Sequence, residues 1–110
     1  MSDEQIRVLL VDDHAVVRQG LRSYLESFED IVVVGSAASG EEALEFLQSS
    51  PSDVAVVDLL MPGGMDGFET IRRARSLSPH TQVVVLSGYS DDARVMAALR
   101  AGAIGYVRKE

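Results

Sequence analysis

The stretch Ile6-Arg7-Val8-Leu9-Leu10-Val11-Asp12-Asp13 decides the fold of this chain of 110 residues. Its first part is a short, nearly continuous apolar run, which is typical of a strand buried on both faces. The run then passes directly into two aspartates. The same design recurs further along the chain, at residues 54–57 before Asp58 and at residues 83–86 before Ser87. The sequence therefore predicts buried strands that each end in a polar side chain.

Two weaker strands and four helices complete the pattern. The β-branched residues 31–34 and the stretch 104–107 are strand-like. Helical spacing predicts a first helix whose apolar stripe consists of Val17, Leu21, Tyr24, Leu25 and Phe28. Ser39 and Asp66 each precede a helix that has a glutamate three positions on, and a fourth helix is expected over about residues 91–101, stopped by Gly102. Alternation of strands with helices of this length predicts βαβ units and a parallel, doubly wound α/β sheet.

Composition and charge exclude several classes of protein. The chain has no cysteine, which excludes a disulfide scaffold and thiolate metal sites. No apolar run approaches the roughly 20 residues of a membrane span, and the polar start shows no signal peptide. The net charge of -7 makes the chain alone a poor partner for nucleic acid. We therefore expect a cytoplasmic domain with no membrane partner.

In a doubly wound sheet the site lies beyond the carboxyl ends of the strands. Five polar residues follow strands there: Asp12, Asp13, Asp58, Ser87 and Lys109, the last being the only lysine. A lone aspartate after a strand is more often a helix cap, but three converging carboxylates repel one another unless a cation compensates their charge. Oxygen ligands with no predicted nitrogen or sulfur ligand favour a hard ion, most plausibly Mg²⁺.

The chemistry expected at this rim is phosphoryl transfer to a carboxylate. The chain contains neither G-x-x-x-x-G-K-[ST] nor G-x-G-x-x-G, so nucleotide binding through those loops is not expected. An aspartate can instead act as a nucleophile and form an acyl phosphate. A magnesium ion, the Lys109 ammonium and the Ser87 hydroxyl would then balance the charge of the phosphoryl oxygens.

The motifs together resemble the receiver domains of bacterial two-component response regulators, and most closely the NarL/FixJ subgroup. The resemblance rests on five stretches spread over the whole chain: Leu10-Val11-Asp12-Asp13-His14, Asp58-Leu59-Leu60-Met61-Pro62, Met65-Asp66-Gly67, Leu86-Ser87-Gly88, and Ala101-Gly102-Ala103-Ile104-Gly105-Tyr106 with Lys109. Each stretch alone is a weak signal, but the ordered set is specific. It implies a five-stranded sheet in the flavodoxin-like order 2-1-3-4-5.

The resemblance also implies a role for each matching residue. Asp58 accepts a phosphoryl group from a sensor histidine kinase. Mg²⁺ is bound by Asp13, Asp58 and the backbone carbonyl of Leu60, and by Asp12 through water. Lys109 and Ser87 contact the phosphoryl group, and Ser87 and Tyr106 form the switch that alters dimerisation or partner choice. The domain is then a self-phosphorylating and autodephosphorylating switch and not a turnover enzyme.

The resemblance carries expectations about the rest of the protein. Residues 1–110 would form one receiver domain that stops before the family's fifth helix, with a DNA-binding helix-turn-helix domain outside this chain. We expect a homodimer, which would cover the sheet face left bare, and transcriptional regulation as the output. The loop from Met61 to Gly67 has one residue more than the family's usual spacing, and the extra glycine of Gly63-Gly64 is expected to bulge outward.

Three other functions remain open at this point. A receiver that works without phosphorylation, as a protein-interaction module, is the main alternative, although such proteins often lose the acidic pair or the lysine. A dehalogenase-like phosphatase would need a second aspartate where this chain has Leu60. A flavodoxin-like cofactor binder shares the topology alone. His14 and His80 are interpreted as surface residues without the partners that a metal ligand or catalytic histidine needs.

Overall fold

The computed structural model describes residues 5–59, 61, 64–88 and 92–108. Strands and helices alternate along the chain in the order β1 (Ile6–Val11), α1 (Ala15–Leu25), β2 (Ile31–Ala37), α2 (Gly40–Ser49), β3 (Val54–Asp58), α3 (Gly67–Leu77), β4 (Gln82–Ser87), α4 (Asp92–Ala101) and β5 (Gly105–Arg108). The strands form one parallel sheet in the order β2-β1-β3-β4-β5. The predicted fold class and strand order are confirmed.

Alternation along β1 divides the interior into two layers, because successive side chains of a strand point to opposite faces. Leu9 and Val11 belong to the larger cluster, to which α2, α3 and α4 contribute buried residues such as Leu47, Ile71 and Ala98. Val8, Leu10 and Val33 form the smaller cluster, against which Leu21 and Leu25 of α1 pack. Among the described residues, no helix long and apolar enough to cross a membrane is found.

The first helix is shorter than its predicted apolar stripe. It ends at Leu25, so Phe28 lies beyond it, and none of its residues is fully buried. Tyr24 and Phe28 are exposed and contact each other edge to face, with ring centroids 5.4 Å apart. The predicted apolar stripe is therefore buried only in part, and these two aromatic rings pack against each other at the surface instead of filling the core.

The second strand is longer than predicted and extends to Ala37. Its second half was not predicted because Gly35 and Ser36 have low strand propensity. Gly35 is needed for packing: a Cβ atom there would lie 2.5 Å from the ring of Phe46 in α2. The register with β1 shifts by one residue between Val33 and Gly35, which is a β-bulge.

β2 is an edge strand, and side chains from α1 and from the residue that follows it hydrogen-bond to the outward-facing backbone groups of Val33. The Val33 amide donates to Oε2 of Glu26 at 3.2 Å, and Nη2 of Arg22 donates to the Val33 carbonyl at 3.2 Å. Arg22 and Glu26, four positions apart, also form an ion pair, with Nε of Arg22 3.9 Å from Oε1 of Glu26. A pair of side chains thus replaces the neighbouring strand that an interior strand would have at this position.

The remaining helices begin and end as the sequence indicates. Ser39 caps α2 by accepting from the Glu42 amide at 3.1 Å, and Asp66 caps α3 by accepting from the Glu69 amide at 2.8 Å. Gly102 follows α4 with a φ of 121°, a conformation that favours glycine and ends the helix. The last strand lies one residue later than predicted, at Gly105–Arg108.

Candidate functional site

Three carboxylates meet where β1 and β3 end side by side. Asp58 is the last residue of β3, and Asp12 comes directly after β1, whose Val11 is paired with Val57. Asp12 and Asp58 are 2% and 3% exposed, whereas Asp13 is partly exposed. Ligand atoms from these three residues and from His14 all lie within 4.8 Å of one another. The predicted convergence of the acidic residues is therefore present in the structure.

His14 belongs to this cluster, contrary to the interpretation that it lacks such partners. Its Nδ1 lies 2.9 Å from Oδ1 of Asp12 and 3.1 Å from Oδ1 of Asp13. Its backbone amide donates to the same Asp12 oxygen at 2.9 Å. An aspartate that accepts from the amide two positions on forms an Asx turn, and this turn brings the His14 ring back over the acidic pair. His80 is exposed, as expected.

A second residue that sequence reasoning missed is Arg18. Its guanidinium, one turn into α1, donates through Nη1 to the backbone carbonyl of Asp12. The turn at Asp12 and Asp13 is thus held by two hydrogen bonds. The His14 amide donates to the Asp12 side chain, and Arg18 of α1 donates to the Asp12 backbone. The sequence signal for this contact is a basic residue in the first turn of the helix that follows the acidic pair.

The donor set fits a divalent cation. Oδ1 of Asp13 is buried, and although Nδ1 of His14 lies 3.1 Å from it, no described residue donates to it a hydrogen bond of acceptable geometry. A buried carboxylate oxygen that receives no well-formed hydrogen bond, close to two further carboxylates, is costly unless a cation satisfies it. Carboxylate oxygens suit a hard ion such as Mg²⁺, and the imidazole of His14 adds a nitrogen atom at the exposed side of the cluster.

The two predicted switch residues lie on the neighbouring strands. Leu86 of β4 is paired with Asp58, and Ser87, the next residue, is fully buried at the same end of the sheet. Tyr106 of β5 is paired with Val85 and is half-buried against the larger core cluster. The structure therefore places Ser87 beside the strand end that carries Asp58, and Tyr106 one strand further out.

Two predicted residues, Leu60 and Lys109, lie outside the described residues, and so does Gly63 of the glycine pair. Their roles stay predictions. Leu59 and Met61, on either side of Leu60, are buried. Strand β5 ends at Arg108, so the chain position of Lys109 directly follows the end of a strand.

Comparison with known proteins identifies a family. The model of the response regulator receiver domain matches residues 8–110. The transcriptional regulatory protein YhcZ of Bacillus subtilis is 43% identical over 105 residues, which are 96% of this chain and 49% of that protein. The nitrate/nitrite response regulator NarL of Escherichia coli is 38% identical over 109 residues, 99% of this chain and 50% of that protein. The chain thus spans about half the length of these relatives.

Solved structures agree with the fold. The signal receiver domain of the response regulator NarL from Mycobacterium tuberculosis superposes with a TM-score of 0.91 at 37% identity, covering 97% of this chain and 86% of that one. RcsB from Salmonella enterica serovar Typhimurium, bound to the promoter rprA with the phosphomimetic BeF3-, gives a TM-score of 0.87 at 30% identity, covering 96% of this chain and 88% of that one.

Proposed function

Because the chain belongs to the family of response regulator receiver domains, of the NarL type, we propose that it is a phosphorylation switch whose phosphoacceptor is Asp58. The observation that carries the proposal is the meeting of Asp58 with Asp12 and Asp13 at the ends of adjacent strands. Asp58 is 3% exposed and held by the sheet, so its carboxylate has a fixed orientation toward the rim.

The proposed chemistry is nucleophilic transfer to a carboxylate. A carboxylate oxygen of Asp58 attacks the phosphorus of a phosphohistidine on a sensor kinase. The P–O bond forms as the P–N bond breaks, and the histidine leaves as neutral imidazole after taking up a proton. The product is an acyl phosphate on Asp58. The domain is thereby modified itself, which is why we assign it the role of a switch and not that of an enzyme with an outside substrate.

Receiver domains bind Mg²⁺ at an acidic pocket, and this chain has the acidic cluster. We assign the ion to Asp13, Asp58 and the Leu60 carbonyl, with Asp12 acting through water. Bound there, Mg²⁺ would offset the negative charge that gathers on the phosphoryl oxygens. Asp12 and Asp13 would help to hold the ion, while Arg18 and the His14 amide fix the turn that orients them.

The remaining predicted residues are assigned to the response. Lys109 pairs with the acyl phosphate, and the Ser87 hydroxyl donates to a phosphoryl oxygen. Tyr106 is half-buried between core and surface, so an inward rotation of its ring would change the surface around α4 and β5. That change is the proposed signal to a second copy of the chain or to another partner.

The output that we propose is transcriptional regulation. YhcZ and LiaR of Bacillus subtilis are described as transcriptional regulatory proteins, and RcsB was solved on a promoter. The sheet and helices of this chain carry an acidic balance that repels DNA, so we assign DNA binding to a C-terminal helix-turn-helix domain outside these residues. Homodimerisation on phosphorylation would then couple the modification of Asp58 to DNA binding.

The test is the intact mass of the chain after incubation with acetyl phosphate and Mg²⁺. Wild type should gain one phosphoryl group only when Mg²⁺ is present, and Asp58→Asn should gain none. Asp30→Asn is the matched control, because Asp30 is an exposed aspartate in the turn before β2. Its mass should rise as that of wild type does.

A folded wild-type chain that gains no phosphoryl group would overturn the proposal. That result would support the alternative function, a receiver that binds its partner without phosphorylation. Circular dichroism of the same samples shows whether the chain is folded, so that the two outcomes are separated from a failure to fold.

A further inference from the structure

The first helix carries two stripes of side chains. Leu21 and Leu25 pack against the smaller core cluster. Arg18 and Arg22 are four positions apart, and residues at that spacing lie next to each other on one face of a helix. Arg22 reaches the backbone of Val33 in β2, so this second stripe faces the edge strand of the sheet.

An open groove of about 270 Å³ lies between the arginine stripe and the sheet. Buried Leu10 of β1 forms its floor, and exposed Ser36 of β2 lines it on the sheet side. The helix contributes the other lining residues, which are Ala15, Arg18, Gln19 and Arg22. Within the part of the chain that the structure describes, no aspartate or glutamate lines the groove, so its charged groups are both positive in a chain of net charge -7.

Each of the two guanidinium groups is held by a backbone carbonyl. Nη1 of Arg18 donates to the Asp12 carbonyl, and Nη2 of Arg22 donates to the Val33 carbonyl at 3.2 Å. A guanidinium has five N–H donors, so most of its donors are left over after one such contact. Because both side chains are already held, a ligand that binds them costs less conformational entropy than it would with free arginines.

These contacts leave much of the positive charge in the groove without a counter-charge. Glu26 pairs with Arg22 at 3.9 Å, but its other oxygen accepts from the Val33 amide, and both side chains are partly exposed. Arg18 forms no ion pair with any residue that the structure describes. Like charges one turn apart on a helix repel each other, so an anion that contacts both arginines would stabilise the pair.

We propose that the groove between α1 and β2 is a binding site for a phosphate group, which Arg18 and Arg22 hold. Gln19 and Ser36 supply further hydrogen-bond donors. Guanidinium groups donate to phosphate oxygens in pairs, and a phosphate dianion balances two such groups. The groove is smaller than the roughly 300 Å³ at which sites for drug-sized ligands begin. The ligand is therefore a free phosphate ion or the phosphate of a small metabolite.

The proposal does not depend on phosphorylation of Asp58, which is not among the residues that line the groove. Its test is a titration of the isotope-labelled chain with sodium phosphate, followed by amide shifts in NMR, without Mg²⁺ and at constant ionic strength. The shifts should saturate and should be largest around the groove, at residues such as Ala15, Gln19 and Ser36.

Two other ligands define the chemistry of the site. Acetate should bind at least about fivefold more weakly than phosphate, because it brings one negative charge to the two guanidinium groups instead of two. Glycerol 3-phosphate distinguishes the sources of the phosphate group. Tighter binding than that of inorganic phosphate would indicate a small metabolite, and equal or weaker binding would indicate the free ion.

Two variants test the residues, each with a matched control. Arg18→Ala should lower phosphate affinity at least about tenfold, because charge-assisted hydrogen bonds are lost. Ser36→Glu should lower it as much, because its carboxylate occupies the groove while both arginines remain. The controls are Arg100→Ala, at an exposed position of α4, and Ser23→Glu, at an exposed position of α1 that does not line the groove. Both should stay within about twofold of wild type.

Three outcomes would overturn the proposal. The first is a set of phosphate shifts that do not saturate or that spread evenly over the surface. The second is wild-type affinity in Arg18→Ala and Ser36→Glu. The third is acetate binding as tight as that of phosphate. If circular dichroism shows that Arg18→Ala is unfolded, Ser36→Glu decides between the outcomes, because it leaves the contact of Arg18 with Asp12 in place.

Discussion

Gly67 lies directly against the backbone of Leu59. A Cβ atom on Gly67 would lie 2.5 Å from the Leu59 Cα and 2.8 Å from the carbonyl oxygens of Asp58 and Leu59. The start of α3 therefore packs against the residue that follows the candidate phosphoacceptor. Side-chain motion cannot relieve such a contact, because every atom in it belongs to the main chain.

Gly67→Ala should accordingly destabilise the fold and displace the loop after Asp58. We expect a loss of about 1–3 kcal/mol in the free energy of unfolding, measured by urea denaturation, because overpacking against fixed backbone forces a shift. Gly20→Ala is the matched control: Gly20 lies inside α1 with nothing within 4 Å of its Cβ position. It should raise stability by about 0.5–1 kcal/mol, and equal effects at the two glycines would contradict the argument.

Thr81→Val should destabilise the turn before β4. The Thr81 hydroxyl is buried and donates to the Ser52 carbonyl at 2.7 Å, and Oγ of Ser78 lies 2.6 Å from Oγ1 of Thr81. Valine keeps the shape but removes the donor, so we expect a loss of about 1–3 kcal/mol in urea denaturation. Ser76→Ala, at an exposed position of α3, should change stability little. A Thr81→Val chain as stable as wild type would show that water replaces the lost donor.

The carboxylate of Glu69 should make stability depend on acid pH. Hydrogen bonds from Arg73 and Arg72 lower the pKa of Glu69 from its ordinary value of 4.5. A lowered pKa in the folded state means that the unfolded chain takes up a proton first as the pH falls. The contribution of Glu69 to the free energy of unfolding is therefore complete above pH 4.5 and is lost as the pH falls through the lowered pKa of the folded state.

The measurement is the thermal midpoint of wild type and Glu69→Gln over a range of pH. Wild type should be the more stable at neutral pH, and the difference should close below pH 4.5. High salt should reduce the difference, because the ion pairs of Glu69 are exposed to solvent. A difference that persists at the lowest pH would mean that the amide disturbs α3 in some other way.

Removal of the His14 ring should change which cations the acidic cluster prefers. Imidazole nitrogen favours Mn²⁺ over Mg²⁺, and Nδ1 of His14 lies beside two carboxylates of the cluster. In His14→Ala we expect Mn²⁺ affinity to fall by about tenfold and Mg²⁺ affinity to fall less. Calorimetric titration of each ion checks this, with His80→Ala as the exposed control. If the affinities for Mn²⁺ and Mg²⁺ fell by the same factor, His14 would only hold the acidic turn and would not ligate the ion.

The sheet and its acidic rim could be predicted from the sequence because both follow from short-range rules. Apolar runs indicated β1, β3 and β4, and the placement of polar residues after them located Asp12 and Asp58. The second half of β2 could not be predicted, since Gly35 is there to accommodate Phe46, a contact that no local pattern shows. The spacing placed Tyr24 in the apolar stripe of α1 but could not show that its ring lies exposed, because helical spacing does not report which other element covers a face.

The residues that support the site were the hardest to predict. His14 folds back on the acidic pair through a turn, and Arg18 reaches the Asp12 carbonyl from a helix. Each of these contacts depends on the direction of one side chain in three dimensions. Spacing along the chain gives that direction for a regular helix or strand, but not across a turn or between two elements.

The occupied edge of β2 bears on how copies of this protein can assemble. A strand with open backbone groups is a template onto which another chain can add, and repeated addition leads to filaments. Because Arg22 and Glu26 occupy the backbone of Val33, strand addition at the centre of this edge would first have to displace both side chains. Strand addition at this position of the β2 edge is therefore disfavoured, and another chain that met it would contact side chains before any backbone group. The β2 edge is thus closed at its centre as a template for a growing sheet.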